Sequence, residues 1–268
     1  MSGSARVLRA LPALLRIGLA EAVAYRGEFV VWVLTTNMPL VMLALWSEVA
    51  REAPLGRFGE KELAAYFLAT LIVRLLTGSW VVWEMNQEVR QGGLAQRLLR
   101  PLHPFVTYAC ESLAALPMRA ILALPIAGAA LFWVGRAQLT HDPVQWLIVP
   151  LAILGAWALV FCAMLAIGSL SLFWESSVAL FELWLGLFFI FSGYLMPLAF
   201  FPPWLRSLTW WLPFRYTLAF PVETMLGLES RAQSLRSLGV EWGYVAAFLI
   251  TALFVWRRGL SRYAVFGG

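Results

Sequence analysis

Apolar residues in this chain run in long blocks instead of alternating with polar ones, and the charges gather between the blocks. Phe29 to Ser47 is uncharged, Leu63 to Trp83 carries only Arg74, and Ser112 to Gly135 carries only Arg119. Pro143 to Trp174 is uncharged, the stretch from about Ser177 to Leu198 is broken only by Glu182, and a last apolar stretch runs from about Gly239 to Trp256. Windows of this size match the roughly 20 apolar residues an α-helix needs to cross a hydrocarbon core of about 30 Å. A segment in lipid must satisfy its backbone polar groups internally, and a helix does so. The pattern predicts an all-α, polytopic membrane protein with six spans, at about 29–48, 63–83, 110–134, 144–173, 177–198 and 239–256, in one domain over 1–268.

Two segments outside the spans have patterns of their own. RVLRALPALLRIGLAEAVAYRGEF places Leu8, Leu11, Leu15, Leu19 and Ala22 at helical spacing, with Arg9, Arg16 and Glu21 elsewhere on the wheel. It predicts an interfacial amphipathic helix over 5–27, lying along the inner leaflet or packed on the other cytoplasmic loops. No window reads as a cleavable signal peptide, since a partly charged segment precedes the first apolar run. Residues 200–238 hold Arg215, Pro213 and Pro221, which argue against a seventh span, and Trp204, Trp210 and Trp211, which suit headgroups. They predict an extracytoplasmic segment, partly re-entrant or interfacial.

Composition strengthens the membrane reading. Hydrophobic residues make up 61% and charged residues 13%, against about 45–50% and 25% in soluble domains. Trp46, Trp83, Trp133, Trp146, Trp174 and Trp256 fall near the ends of apolar runs, where an indole can keep its ring in lipid and its N–H in water. Arg6, Arg9, Arg16, Arg26, Arg90, Arg97, Arg100, Arg257, Arg258 and Arg262 fall on one side, while the basic residues opposite are interleaved with acidic ones. The positive-inside tendency therefore puts both termini in the cytoplasm of a cell whose inner or plasma membrane holds the protein. Cys110 and Cys162 lie in or beside apolar runs and suggest no disulfide framework or metal cluster.

One loop differs in kind. EVRQGGLAQRLLRPLHP, 88–104, follows the second span on the cytoplasmic side. Gly92 and Gly93 should stop the helix arriving through EMNQEVRQ, and Pro101 and Pro104 should stop the short helix after it. In that short helix Leu94, Leu98 and Leu99 form an apolar ridge, and Arg97 and Arg100 share a basic edge. Two readings follow: an anchor on anionic lipid, or a docking knob for a cytoplasmic partner.

EVRQGGLAQRLLRPLHPF resembles the loop of the ABC-2 type transporter permeases, in the branch with six spans and an acidic, basic, x-G-x-L, then L-L-R-P-L-x-P pattern. It departs at QGGLAQ, where relatives often carry an acidic residue soon after the glycine-leucine step. FSGYLMPLAFFPPWLRSLTWWLPFRYTLAFPVETMLG, 191–227, resembles the end of the fifth span in that family, and the resemblance covers essentially the whole chain. It implies a permease subunit of an ABC exporter, with loop 84–107 as a coupling helix seated in a separate ATPase subunit. Glu88, Arg90, Leu94, Arg97, Leu98 and Arg100 would then transmit closure of the ATPase. Tyr194, Pro197, Pro203, Trp204 and Pro213 would belong to an outer gate, with substrate passing between subunits along the second and fifth spans. Their plain alternative is prolines that end helices and aromatics at an interface. The partners implied are the ATPase, a second permease copy or a homologous permease, and membrane lipids, with no nucleic acid.

A phosphate-binding loop of the G-x-x-x-x-G-K-[ST] kind needs a lysine after glycine, and the single lysine, Lys61, sits in GEKEL. No cofactor is therefore expected in this chain; ATP and Mg would sit on the partner. Charges inside spans cost at least about 2.5–3.5 kcal/mol unless paired or wetted, so Arg74, Arg119 and Glu182 are candidates for function. The depths of Arg119 and Glu182 allow them to pair. Arg74 could meet an anionic group on a substrate, snorkel, or pair across subunits. The competing class, an integral membrane enzyme, would call for converging His or acidic groups, and His103 and His141 fall on opposite sides of the predicted membrane. A non-transporting structural subunit is the remaining alternative.

Overall fold

The computed structural model describes residues 37–52, 56–174 and 177–263, together with positions 12, 13, 16 and 20. Apart from those isolated positions, the expected interfacial helix over 5–27 and the first span up to residue 36 lie outside the described residues. Every regular element described is helical. After α1 (Met38–Glu52), α2 (Glu60–Thr77) and α3 (Val81–Gln91) are separated by a break at 78–80. There follow α4 (Gly93–Leu98), α5 (Pro104–Ala114), α6 (Leu116–Gly135), α7 (Pro143–Ser169) and α8 (Val178–Phe191). Short helices α9 (Pro203–Thr209), α10 (Pro213–Thr217) and α11 (Ala219–Met225) lead into α12 (Arg231–Leu260).

The uncharged α7 is the axis of the molecule. A helix apolar on all faces is stable only when surrounded by apolar material, and α12, α3, α11, α2 and α10 all lean on this one. Small residues allow close approach: a Cβ on Gly155 would meet the Glu241 carboxylate, and one on Gly168 would meet the Met85 sulfur at 2.7 Å. A second core gathers around α2, which packs against α1 and α6.

Among the described residues three helices are long and apolar enough to cross a membrane: Glu60–Gln91, through α2 and α3; Pro143–Leu172; and Arg231–Leu260. A fourth candidate, Pro104–Ile121 with Leu124–Gln138, is bent by 54°. Pro125 lacks the N–H that would bond the Ile121 carbonyl, so the helical ladder is interrupted where the bend falls.

Several expected boundaries move. The third span, expected at 110–134, lies within this longer bent pair. The fifth, expected at 177–198, is helical only over Val178–Phe191, about 21 Å at 1.5 Å per residue, because Gly193 turns left-handed at φ +85°. The sixth begins at Arg231, not near 239, capped by the Ser230 hydroxyl, which accepts from the Gln233 N–H. Of the tryptophans, Trp133 is exposed as expected, but Trp256 is buried, 5.1 Å from the Phe105 ring. Both cysteines are buried free thiols.

Candidate functional site

The loop after α3 is built from its first glycine. Gly92 takes φ +77°, a left-handed conformation that ends a helix without steric cost, and the chain reverses into α4. This six-residue helix lies against its neighbours with Leu94 fully buried. The reversal carries Arg97 inward. Its Nε donates to both Glu88 oxygens at 3.0 and 2.9 Å. Its Nη1 donates to Thr107 Oγ1 at 2.9 Å and to Glu111 at 3.0 and 2.9 Å, and its Nη2 reaches Glu84 at 2.9 Å. The guanidinium lies 4.0 Å from the centre of the Tyr108 ring, and the Tyr108 hydroxyl donates to Glu88 at 2.6 Å. Burial alone would lower the Arg97 pKa, but the bonds to Glu88 and the nearby negative charges raise it and keep the side chain ionised.

This corrects the expected basic edge and apolar ridge. Glu88, Leu94 and Arg97 face inward as a clamp joining α3, α4 and α5. Arg90, Leu98, Leu99 and Arg100 point outward, with Leu99 87% exposed. The helical wheel of a short segment cannot anticipate this, because the carboxylates holding Arg97 come from two other helices.

On the opposite side of the α7 bundle, the expected re-entrant segment is packed into the protein. Every residue from 214 to 226 is buried, whereas Trp204 and Trp211 are exposed. Pro203 and Pro213 occupy first-turn positions of α9 and α10, and Pro197 precedes a single 3-10 turn. These prolines thus begin helices, where their missing N–H costs nothing. Buried Arg215 bonds Glu223, and Glu229 at 2.7 Å, beneath the Trp210 ring. Burial, then the charge of Glu223, pushes the Glu229 carboxyl up to about 7, against the opposing pull of Arg215 and Ser237.

Between these two ends, α2, α3, α7 and α8 line a partly open cavity of about 390 Å³, with Arg74, Trp80, Trp83, Glu182, Phe188 and Tyr194 among its lining. One wall, beside Tyr194, is set by backbone. The Tyr66 hydroxyl donates to the Gly193 carbonyl at 2.8 Å, and Trp46 Nε1 donates to the Leu195 carbonyl at 2.9 Å. A Cβ at Gly193 would fall 2.4 Å from the Tyr66 oxygen. Tyr194, expected at an outer gate, is therefore buried beside Phe188 and Phe189, next to Arg74. Arg74 lies 5.0 Å from the Phe188 ring centre. The three intramembrane charges are arranged otherwise than expected: Glu182 shares the cavity with Arg74, and Arg119, expected to pair with Glu182, donates to the Gly78 carbonyl at 2.6 Å, in the break between α2 and α3 and near Arg74.

Glu241, on α12, escaped the sequence reading. It is fully buried against Gly155, and neither carboxylate oxygen has a hydrogen-bond partner in the structure. An ionisable residue inside an apolar window was the available signal.

No curated protein matches the chain. A family model described as ABC-2 family transporter protein matches residues 28–267, which takes in all the helices described above and both stretches that suggested the resemblance. The chain belongs to the ABC-2 transporter family and is a membrane permease of an ABC transporter.

Proposed function

We propose that this chain is the export permease of its transporter, driven by a separate ATPase subunit that docks on loop 84–107, and that it works beside a second copy or a homologous permease. The observation that carries this reading is the tip of α4. Leu98, Leu99 and Arg100 are exposed, while the residues immediately beneath them are fixed by the Arg97 clamp. An apolar tip on a rigid base suits a protein cleft, because little conformational freedom remains to be lost on docking. The lipid-anchor alternative is weakened, since Arg97 is committed inward and only Arg90 and Arg100 of the loop's arginines stay exposed. ATP and Mg are assigned to the partner, and both termini to the cytoplasm of the inner or plasma membrane.

The test compares wild type with a Leu98→Asp, Leu99→Asp variant, each purified from native membranes in mild detergent. Wild type should bring an ABC ATPase subunit and ATP turnover. The variant should lose both while keeping its thermal unfolding profile, because neither side chain supports the clamp. A variant that retains the ATPase, or a wild type that never carries one, would remove the coupling role from this loop.

A further inference from the structure

We infer that the cavity between α2, α3 and α8 binds an amphiphile bearing one anionic group, with that group at Arg74 and its apolar body along the tryptophan and phenylalanine wall. This assignment rests on the permease reading and supplies the chemical class of its cargo.

Two buried guanidinium groups elsewhere in the protein are held by carboxylates. Arg97 is held by Glu84, Glu88 and Glu111, and Arg215 by Glu223 and Glu229. Among the described residues Arg74 has no carboxylate partner, its polar neighbour is the Tyr194 hydroxyl, and Arg119 adds a second positive charge nearby. A cation in such surroundings retains unspent attraction for an anion, strengthened by low polarity. Arg74 Cζ lies over the Phe188 ring, 5.0 Å from its centre, and a guanidinium offers a planar fork of N–H donors that matches a carboxylate or phosphate.

The rest of the cavity limits what can follow that group. Its volume, about 390 Å³, falls in the range of small-ligand sites, roughly 300–1,000 Å³. Trp80, Trp83 and Trp184 supply flat apolar walls. Glu182 precedes Phe188 on α8 by six positions, about 9 Å along the helix axis. A second anionic group at that end would face a carboxylate, so the site selects one negative charge near Arg74 and a neutral or cationic far end. A carboxylate, a sulfate or a phosphodiester would satisfy Arg74, and the source could be a solute or a membrane phospholipid.

The tryptophans in the wall provide the readout. The full-length permease in mild detergent is titrated with 11-(dansylamino)undecanoic acid, following energy transfer from tryptophan to dansyl, and with its uncharged methyl ester. The acid should bind at least tenfold more tightly than the ester. Arg74→Gln should abolish that preference, and Arg74→Lys should keep most of it. Glu182→Gln, a change at an exposed residue, should admit a dicarboxylate analogue that wild type rejects. Competition by nanodiscs containing phosphatidylglycerol, but not by phosphatidylcholine alone, would identify the anion as a lipid headgroup; no competition by either would identify a solute. Equal binding of acid and ester to wild type, or an unchanged preference in Arg74→Gln, would overturn the inference. Binding is read without the ATPase, so such a result would leave the copurification test of the permease reading standing.

Discussion

Arg97 and Arg74 are both arginines enclosed by helices, and the protein surrounds them in opposite ways. Around Arg97 every donor has an acceptor and three carboxylates converge, so the charge is fully used in joining α3, α4 and α5. Around Arg74 there are rings, a hydroxyl and open volume. A charge whose partners all come from its own chain contributes to folding, whereas one left in an apolar cavity lowers stability and retains affinity for something outside the chain. Burial alone would not separate the two; the partners do.

The sharpest way to break the comparison is Arg97→Ala. Removing one member of a buried, hydrogen-bonded charge cluster leaves the others uncompensated and costs about 3–5 kcal/mol. Thermal unfolding in detergent should show a large loss of stability together with loss of the ATPase, in contrast to Leu98→Asp, Leu99→Asp, which should lose the ATPase alone. The clamp is not a seat for the partner if Arg97→Ala melts like wild type.

Gly193→Ala disturbs the Arg74 side without touching a charge. The left-handed φ and the clash with the Tyr66 oxygen together should cost about 1–3 kcal/mol and displace Tyr194, weakening the binding of the dansyl acid. Unaltered stability and binding would mean that the Gly193 turn does not set the cavity wall.

Arg215 offers a case between the two, a paired arginine whose partner titrates near neutrality. The Glu229 carboxyl has a higher pKa folded, about 7, than unfolded, so its contribution to stability is fully present below the unfolded value of 4.5 and is lost as pH rises through about 7. Between pH 6 and pH 8 wild type should lose stability on the order of 1 kcal/mol. Glu229→Gln should flatten that slope in melting curves taken across the interval.

The smallest expected change sharpens the comparison most. Arg74→Met replaces an unpaired cation by an apolar side chain of similar length, so the melting temperature should stay within experimental error or rise slightly. A loss approaching that of Arg97→Ala would mean that Arg74 holds the fold together after all.

What could be read from the sequence divides along the same line. Gly92 was legible as a helix stop because its conformational freedom is local, and the uncharged window 143–174 was legible as a helix because its composition leaves few alternatives. The fate of Arg97 was not legible: Glu88 and Glu111 lie 9 and 14 positions away, outside the three- or four-residue neighbourhood that a single helix imposes. The early start of α12 was missed because Arg231 and Arg236 look like loop residues beside an apolar run. Ser230 with Gln233 was the overlooked sign, matching the S-x-x-Q form of a capping box. The shortening of α8 depends on long-range contacts to Gly193 from Tyr66 that no window around 177–198 contains.

The break at 78–80 has a mechanical meaning. α3 is a stiff arm of 11 residues, about 16 Å long, with the exposed leucines of α4 near its free end and the break at its root. Gly78, Ser79 and Trp80 also form part of the cavity wall. A rotation of about 10° at that root carries the far end through about 3 Å by simple leverage on the helix length, while the wall moves by a small fraction of that distance. The Arg119 bond to the Gly78 carbonyl lies at the fulcrum, so the stiffness of this one joint sets how much of a push on the α4 tip becomes a change in the shape of the cavity.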